Sequence, residues 1–145
     1  MTPVESPEKS TAERTLVLIK PDAVRRGLVG RVLARFEDKG LTIVAMEHRS
    51  IDGEMADAHY RDHIEQEWYP PLREFATSGP LVALVLEGDQ AIEVVRAING
   101  ATDGRKAAPG TLRGDFSLSN RENIVHASDS PESAAREIAL WFPSL

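Results

Sequence analysis

Four apolar runs alternate with amphipathic segments along this chain, and this alternation predicts strands separated by helices. The runs cover residues 15–20, 41–48, 81–86 and 124–125. Because the first and third runs are apolar almost throughout, we expect them to be strands that are buried on both faces, whereas the second is a strand rich in Ile, Val and Met and the fourth a short buried strand. Apolar residues recur at helical spacing over residues 27–39, 52–60 and 89–99, and a last helix is predicted from Pro131 to about Phe142. A shorter helix opens at Pro70.

Polar residues at the starts of these segments predict helix caps. Asp52, Asp89 and Ser130 each stand directly before a helical segment, and their side chains are preferred at the N-cap. Pro131 would then occupy the first helical position, where its missing N–H group does no harm.

The alternation predicts a single-domain protein of the α/β or α+β class, in which helices cover a sheet. Residues 1–13 are rich in Pro, Glu, Ser and Thr, so we expect a disordered tail followed by one domain over residues 14–145. Residues 101–122 have no clear period and contain three glycines. A loop of this length in a compact domain is usually functional or disordered.

Composition excludes several classes of protein. The 145 residues carry a net charge of −6, which argues against a general nucleic-acid-binding surface. The sequence contains no cysteine, so disulfides and thiolate metal sites are excluded. No run of about 18 apolar residues predicts a membrane span, and no signal peptide precedes the domain. We therefore expect a cytoplasmic protein.

The usual sequence motifs of nucleotide and hydrolase chemistry do not occur. The sequence has no Gly-x-x-x-x-Gly-Lys-Ser/Thr, no Gly-x-Gly-x-x-Gly and no Gly-x-Ser-x-Gly. A P-loop ATPase, a Rossmann oxidoreductase and a serine hydrolase are therefore disfavoured.

His126 lies where a predicted strand ends and a predicted helix begins, an edge that favours anions because backbone N–H groups are free there. Its imidazole could be a nucleophile toward a phosphoryl group, or it could only fill space at the strand end, and this segment alone does not decide. Glu137 follows Ser130 by about two helical turns, so it returns to the same side and is a candidate partner for the imidazole.

Three further features bear on the chemistry. His59 and His63 have the i, i+4 spacing of a zinc site, but no third ligand is evident, and ordinary surface or packing histidines explain them better. The long loop supplies hydroxyl and cationic side chains, which suit contacts with phosphate groups. Lys20 at the end of a buried strand also calls for a functional reason, because buried lysines are rare.

Five blocks of the sequence resemble, in the same order, the motifs of the nucleoside diphosphate kinases. The most specific is Asn123-Ile-Val-His-Ala-Ser-Asp-Ser130, which resembles the segment around the phosphorylated histidine of that family. The others are Thr15–Asp22, Ser78–Pro80, Pro109–Phe116 and Glu132–Phe142.

The resemblance implies a ferredoxin-like α/β sandwich with a four-stranded antiparallel sheet, and a ping-pong transfer of the γ-phosphoryl group from a nucleoside triphosphate to a nucleoside diphosphate. His126 would be the phosphoryl carrier, Glu137 would orient it, and Ser128 and Tyr60 would lie nearby. Lys20 and Asn123 would bind the ribose, with Lys20 also close to the transferred phosphate. The remaining implied contacts are Arg96, Thr102 and Arg113 with the phosphates, and Trp68 stacked on the base.

The resemblance also implies a cofactor and an assembly. Mg²⁺ would bridge the nucleotide phosphates, with Asp129 as a contact through water. Members of the family form homo-oligomers, and we favour a hexamer over a tetramer. No membrane or specific nucleic-acid partner is expected. Broad base tolerance follows if the base only stacks on an indole.

The sequence departs from the family pattern at several positions. Ala127 replaces the glycine after the histidine, and Gly104 replaces a common proline in the long loop. Gln66-Glu67-Trp68-Tyr69 replaces the usual run around the base-stacking aromatic, and Asn120 replaces an apolar residue. A non-catalytic member of the family is the main alternative. The joint presence of Lys20, Arg113, Asn123, His126 and Glu137 argues against it.

Overall fold

The computed structural model describes residues 12–145 of the chain. The strands are β1 (Ala12–Ile19), β2 (Thr42–Arg49), β3 (Leu81–Asp89) and β4 (Val125–Ala127). The helices are α1 (Pro21–Arg25), α2 (Val29–Asp38), α3 (Gly53–His59), α4 (Tyr69–Ala76), α5 (Ala91–Asn99), α6 (Leu112–Phe116) and α7 (Pro131–Trp141). Among these helices, none combines the length and the apolar character that a bilayer crossing requires.

The four strands form one sheet in the order β2-β3-β1-β4, and each neighbouring pair is antiparallel. β1 lies inside the sheet, where it pairs with β3 along its whole length and with β4 over three residues. The structure therefore confirms a single-domain sandwich in which helices cover a four-stranded antiparallel sheet.

Both faces of the sheet are buried along β1 and β3, as their continuous apolar runs predict, whereas the residues of β2 at the edge are half-buried or exposed. Val17 and Ile19 of β1 pack into a core with residues of α2 and α5. Leu16 and Leu18 pack into a second core with residues of α3 and α7. Alternate residues of a strand point to opposite faces, so one strand supplies the centre of both cores. This arrangement fixes the position of the end of β1, where Lys20 follows.

The start of α5 differs from the prediction because a distant residue caps it. Asp89 is the last residue of β3 rather than the N-cap, and the prediction that it caps the helix is wrong. Gln90 takes the N-cap position with φ of 52° and makes no side-chain capping bond. The carboxylate of Glu13 instead accepts a hydrogen bond of 2.9 Å from the N–H group of Ile92. An acceptor at this end of a helix satisfies a free donor and complements the helix dipole.

Several element boundaries also differ from those predicted. β1 begins at Ala12, so Ala12 and Glu13 belong to the sheet rather than to the predicted tail, and residues 1–11 of that tail lie outside the described residues. α1 is a helix that the sequence did not predict, and α2 begins at Val29 rather than at residue 27. The long loop contains α6, whose N-cap Thr111 accepts a hydrogen bond of 3.0 Å from the N–H group of Gly114.

Gly104 occupies a tight position in that loop. A Cβ atom there would overlap the carbonyl oxygen and the side chain of Ser117. The N–H group of Gly104 donates a hydrogen bond of 3.0 Å to the carbonyl oxygen of Ser119. A proline would lose this bond, so the backbone here is built around a glycine.

We expect the Gly104→Ala substitution to lower the free energy of unfolding by about 1–3 kcal/mol, because a methyl group must displace the backbone at Ser117. Urea denaturation of the purified variant measures this change. Gly30→Ala is the matched control: Gly30 lies in α2 with open space around it, so alanine there should stabilise the protein by about 0.5 kcal/mol. Equal stability of the two variants would contradict the packing at Gly104.

Candidate active site

A pocket of about 480 Å³ opens beside β4 and collects most of the predicted functional residues. Pockets of this size typically bind small-molecule ligands. Its lining comes from the end of β1, the turn after α3, the end of α5, the long loop, β4 and α7. Among the predicted residues, those that line it are Lys20, Tyr60, Arg96, Thr102, Arg113, Asn123, His126, Asp129 and Glu137.

His126 is held at one ring nitrogen by α7. Its Nε2 atom lies 2.7 Å from Oε1 of the buried Glu137. The same carboxylate oxygen accepts a hydrogen bond of 3.0 Å from the hydroxyl of Ser128. Because the carboxylate oxygen is an acceptor, Nε2 carries the proton, and in a neutral ring the lone pair is left on Nδ1. The predicted contact between Glu137 and His126 therefore exists in the structure.

The position of His126 depends on a short strand and a capped helix. β4 pairs with β1, with His126 opposite Leu18, so the histidine lies in the middle of a strand rather than after its end. The hydroxyl of Ser130 accepts a hydrogen bond of 3.1 Å from the N–H group of Ser133, which confirms the predicted N-cap of α7. This cap fixes the helical turn that brings Glu137 to the imidazole.

An unusual backbone turn precedes His126. Ile124 has φ of 77°, and the N–H group of Val125 donates a hydrogen bond of 2.8 Å to the carbonyl oxygen of Asn123. A hydrogen bond across a single residue with positive φ defines a strained γ-turn. The N–H group of Ile124 donates to Asp22 (3.1 Å), and its carbonyl oxygen accepts from the N–H group of Lys20 (2.8 Å). Buried partners thus satisfy the backbone of the turn.

Arg113 braces the same turn from the side of the long loop. Its guanidinium donates hydrogen bonds to the carbonyl oxygens of Gly100 (2.7 Å), Asn123 (3.2 Å) and Val125 (2.7 Å). Burial, and next the nearby charge of Arg96, lower the pKa of Arg113 to about 10. Arg113 therefore keeps its charge at neutral pH. It joins its own loop to the backbone at Gly100 and to the turn at residues 123–125.

Lys20 and Asn123 form a second polar pair. The ammonium group of Lys20 donates a hydrogen bond of 2.8 Å to Oδ1 of Asn123. The Asn123 amide also donates to the carbonyl oxygens of Thr102 (2.9 Å) and Asn120 (3.2 Å), so its orientation is fixed. Burial, and next the charge of Arg113, lower the pKa of Lys20 to about 8, although Asp22 opposes this shift.

Three further predicted residues are Tyr60 and Asp129, which line the pocket, and Trp68, which does not. Burial raises the pKa of Tyr60 well above its ordinary value, so its hydroxyl stays protonated. Hydrogen bonds from Ser133 and Ser130 lower the pKa of Asp129, which keeps the carboxylate ionised. Trp68 is 49% exposed, and its ring centroid lies 5.2 Å from that of His63. The indole is therefore near the rim, but it does not line the pocket itself.

The described residues place His59 and His63 in different settings. α3 ends at His59, and His63 lies in the turn that follows, so the two do not share a helix face. His59 is buried, and its ring lies against that of His126 with centroids 4.7 Å apart. The sequence predicts only a surface or packing role for His59. Its contact with His126 has no sequence signal, because the two residues lie 67 positions apart. Arg136 of α7 also lines the pocket, where the sequence did not predict it.

Ala127 does not require the backbone conformation of a glycine. Among the described residues other than glycine, only Gln90 and Ile124 have positive φ. Ala127 is the last residue of β4 and pairs with Val17. An alanine therefore fits this position without strain.

An imidazole with a lone pair on Nδ1, a carboxylate bonded to its other nitrogen and several cations converge on one pocket. This combination is typical of phosphoryl-transfer enzymes. The comparisons with known proteins make this class specific. Residues 13–145 match the family model described as nucleoside diphosphate kinase. The chain belongs to the nucleoside diphosphate kinase family, and it is a phosphotransferase of that family.

Curated relatives carry the same description. A nucleoside diphosphate kinase from Nocardioides sp. is 74% identical over 132 residues, which cover 91% of this chain and 98% of the relative. A nucleoside diphosphate kinase from Mycobacteroides abscessus is 63% identical over 92% of this chain and 98% of its own.

Solved structures of the family have the same fold. A halophilic nucleoside diphosphate kinase from Halobacterium salinarum, in complex with CDP, superposes with a TM-score of 0.88 at 45% identity. The match covers 90% of this chain and 87% of that one. A transition-state mimic of the Borrelia burgdorferi enzyme, with bound vanadate and ADP, gives a TM-score of 0.87 at 39% identity, over 92% of this chain and 89% of that one.

We expect Arg113→Lys to lower the free energy of unfolding by about 2–3 kcal/mol. A lysine cannot supply three donors in the planar arrangement of a guanidinium, so buried carbonyl oxygens would lose their partners. Thermal and urea denaturation of the free protein measure the change without nucleotide. Arg121→Lys, at an exposed arginine of the same loop, is the control and should stay within about 0.5 kcal/mol of the wild type. A similar result for both variants would show that Arg113 has no bracing role.

Proposed function

We propose that the chain transfers the γ-phosphoryl group of a nucleoside triphosphate to a nucleoside diphosphate through a phosphohistidine on His126. The observation that carries this proposal is the contact of 2.7 Å between Nε2 of His126 and Glu137. It leaves the Nδ1 lone pair as the nucleophile. The relatives solved with CDP and with ADP and vanadate support a nucleotide as the ligand.

The first half-reaction forms a bond between Nδ1 and the γ-phosphorus. The bond between that phosphorus and the bridging oxygen breaks, and the nucleoside diphosphate leaves with the electron pair. In the second half-reaction a terminal oxygen of another nucleoside diphosphate attacks the phosphohistidine, and Nδ1 recovers its lone pair. His126 keeps its Nε2 proton throughout, because the carboxylate of Glu137 stabilises the charge that develops on the ring.

The cationic residues of the pocket supply the charge that the phosphates require. Lys20 and Arg113 lie in one wall, and Arg96 lies on α5 beside Asp129. Phosphoryl transfer depends mainly on positioning and on cations around the equatorial oxygens. Thr102 and the hydroxyl of Tyr60 would add hydrogen-bond donors at the pocket wall.

The base and the ribose would lie toward the rim. We propose that Asn123 and Lys20 bind the ribose hydroxyls and that Trp68 stacks on the base. The exposed indole next to His63 suits a stacking platform, because it presents a flat apolar surface without base-specific hydrogen bonds. Broad base tolerance follows from this kind of contact.

The residues present fit a magnesium ion that the nucleotide itself carries. Asp129 is an ionised carboxylate at the pocket wall, and Mg²⁺ usually keeps several waters when one carboxylate and substrate phosphates hold it. Asp129 would contact such an ion through water. When bound, the ion neutralises charge on the phosphates. Three expectations stay predictions: a homo-oligomer that is hexameric rather than tetrameric, a cytoplasmic location, and the absence of a nucleic-acid partner.

Incubation with γ-labelled ATP and Mg²⁺ tests the carrier. We expect acid-labile label on the wild-type protein, assigned to Nδ1 by ³¹P NMR, that transfers to added GDP. His126→Ala should lose the label and at least about 10³-fold in rate, because it removes the imidazole whose Nδ1 lone pair is the proposed nucleophile. His48→Gln, at an exposed histidine of β2, is the control and should label normally. The proposal would be contradicted if the wild-type protein took up no label, or if His126→Ala took up as much label as the wild type.

The pH dependence of kcat/KM tests Lys20. The pKa of Lys20 in the free enzyme is lowered to about 8, so its charge is present below that pH and is lost above it. We expect kcat/KM to fall by up to about tenfold per pH unit above pH 8, because this parameter reports ionisations of the free enzyme. A bound nucleotide should raise the pKa of Lys20, so the decline in kcat should begin at higher pH.

Lys20→Arg provides the comparison for that profile. An arginine stays charged across the whole range, so the alkaline decline should disappear even if the rate is lower. An unchanged decline in this variant would assign the ionisation to another group.

A further inference from the structure

Behind His126 lies a hydrogen bond between two buried rings. Nε1 of Trp141 lies 3.0 Å from Nδ1 of His59, and both side chains are almost completely buried. The indole N–H group can only donate, so Nδ1 of His59 must accept. A neutral imidazole that accepts at Nδ1 carries its proton on Nε2. The structure thus determines the tautomer of His59.

The surroundings of this pair also hold His59 neutral. A charged His59 would place an N–H group against the indole N–H group at 3.0 Å, where neither could accept. Burial, and next the nearby positive charges, lower the pKa of His59 well below its ordinary value. The groups around it are His126 from β4, Arg136 and Glu137 from α7, Lys20 after β1, and Tyr60 and His63 from the turn after α3.

Other contacts hold the two rings in place. Arg136 donates hydrogen bonds to the carbonyl oxygens of Ala58 (3.0 Å) and His59 (2.9 Å), so α7 holds the end of α3. On β2, the guanidinium of Arg49 lies 5.1 Å from the centre of the Trp141 ring. Contacts between α3, α7 and β2 therefore fix the positions of the His59 and Trp141 rings.

Metal binding is the alternative role for this cluster. Ligand atoms of His59, His126 and Glu137 all lie within 4.8 Å of one another. The tautomer of His59 argues against it, because the Nδ1 lone pair already accepts from Trp141 and Nε2 carries a proton. To bind a metal through Nε2, His59 would have to move its proton to Nδ1 and break the hydrogen bond to the indole.

We propose that Trp141 and His59 form a positioning pair for the nucleophile, in which Trp141 fixes His59 in its neutral Nε2–H form and His59 fixes the ring plane of His126. This role rests on the proposed function of His126. Glu137 holds His126 at one atom only, and rotation about that contact would turn Nδ1 away from the pocket. The His59 ring lies edge-to-face with that of His126, at 82° between the planes, and this second contact removes the rotation.

Nitrogen-15 NMR of the unliganded full-length protein tests the tautomer directly. The chain has four histidines, so single His→Gln variants assign the signals. We expect His59 in the Nε2–H form, with no titration between pH 5.5 and 8. An Nδ1–H tautomer, or a midpoint near the ordinary value of about 6.5, would overturn the proposal. This measurement does not depend on phosphoryl transfer, so it separates a failure of this proposal from a failure of the proposed function.

Two variants then separate the parts of the pair. Trp141→Phe keeps a ring but removes the N–H donor, whereas His59→Asn keeps an acceptor near the Nδ1 position but removes the ring. We expect each to lower the single-turnover rate of His126 phosphorylation by about tenfold, with KM changed by less than about twofold. In Trp141→Phe, His59 also loses the donor that fixes its tautomer, so its nitrogen-15 shifts should show a mixture of the Nδ1–H and Nε2–H forms.

His48→Gln, at an exposed position, is the control and should keep the wild-type rate and pH profile. Rates within about twofold of the wild type in both pair variants, or a larger effect on KM than on the single-turnover rate, would overturn the positioning role. If Trp141→Phe does not fold, the NMR tautomer and the His59→Asn rate decide the question. Circular dichroism verifies folding before each rate is measured.

Discussion

The γ-turn at Ile124 is the backbone constraint on which the site depends. In a continuous strand, residues three positions apart point to opposite faces, so Asn123 and His126 could not both line one pocket. The turn reverses this relation and brings both side chains to the same cavity. A β-branched residue with φ of 77° is strained by about 1–3 kcal/mol, and such strain persists only where the surroundings impose it. Here the backbone N–H group of Lys20 and the guanidinium of Arg113 supply that support.

The same two cations link stability to binding. Each has a lowered pKa, because burial separates the charge from water before any anion arrives. A polyanionic ligand would neutralise the charges of Lys20 and Arg113, which are poorly solvated in the free pocket. The two cations are therefore in place before the ligand binds. The chain as a whole is acidic, with a net charge of −6, so this positive field is local to the pocket rather than general to the surface.

Local sequence signals were enough for the parts of the site that depend on local structure. Ser130 and the helical period brought Glu137 to His126, because both follow from one cap and one helix. Three features had no such signal: the hydrogen bond between Glu13 and α5, the turn at Ile124, and the pair formed by His59 and Trp141. The members of the first and third contacts lie 79 and 82 positions apart, and only the packed sheet brings them together. The positive φ of Ile124 runs against the preference of its own side chain.

The alanine after the nucleophile illustrates how backbone conformation decides what a motif tolerates. β4 has only three residues, and its pairing with β1 is the shortest in the sheet. A glycine at position 127 would add conformational freedom to the unfolded chain, and ordering it would oppose the strand by about 0.5–1 kcal/mol. Because the strained conformation lies at Ile124 and not at Ala127, a methyl group at position 127 restricts the strand without straining it. The residue that needs an unusual backbone is two positions before the histidine, and the residue after it is free to favour the strand.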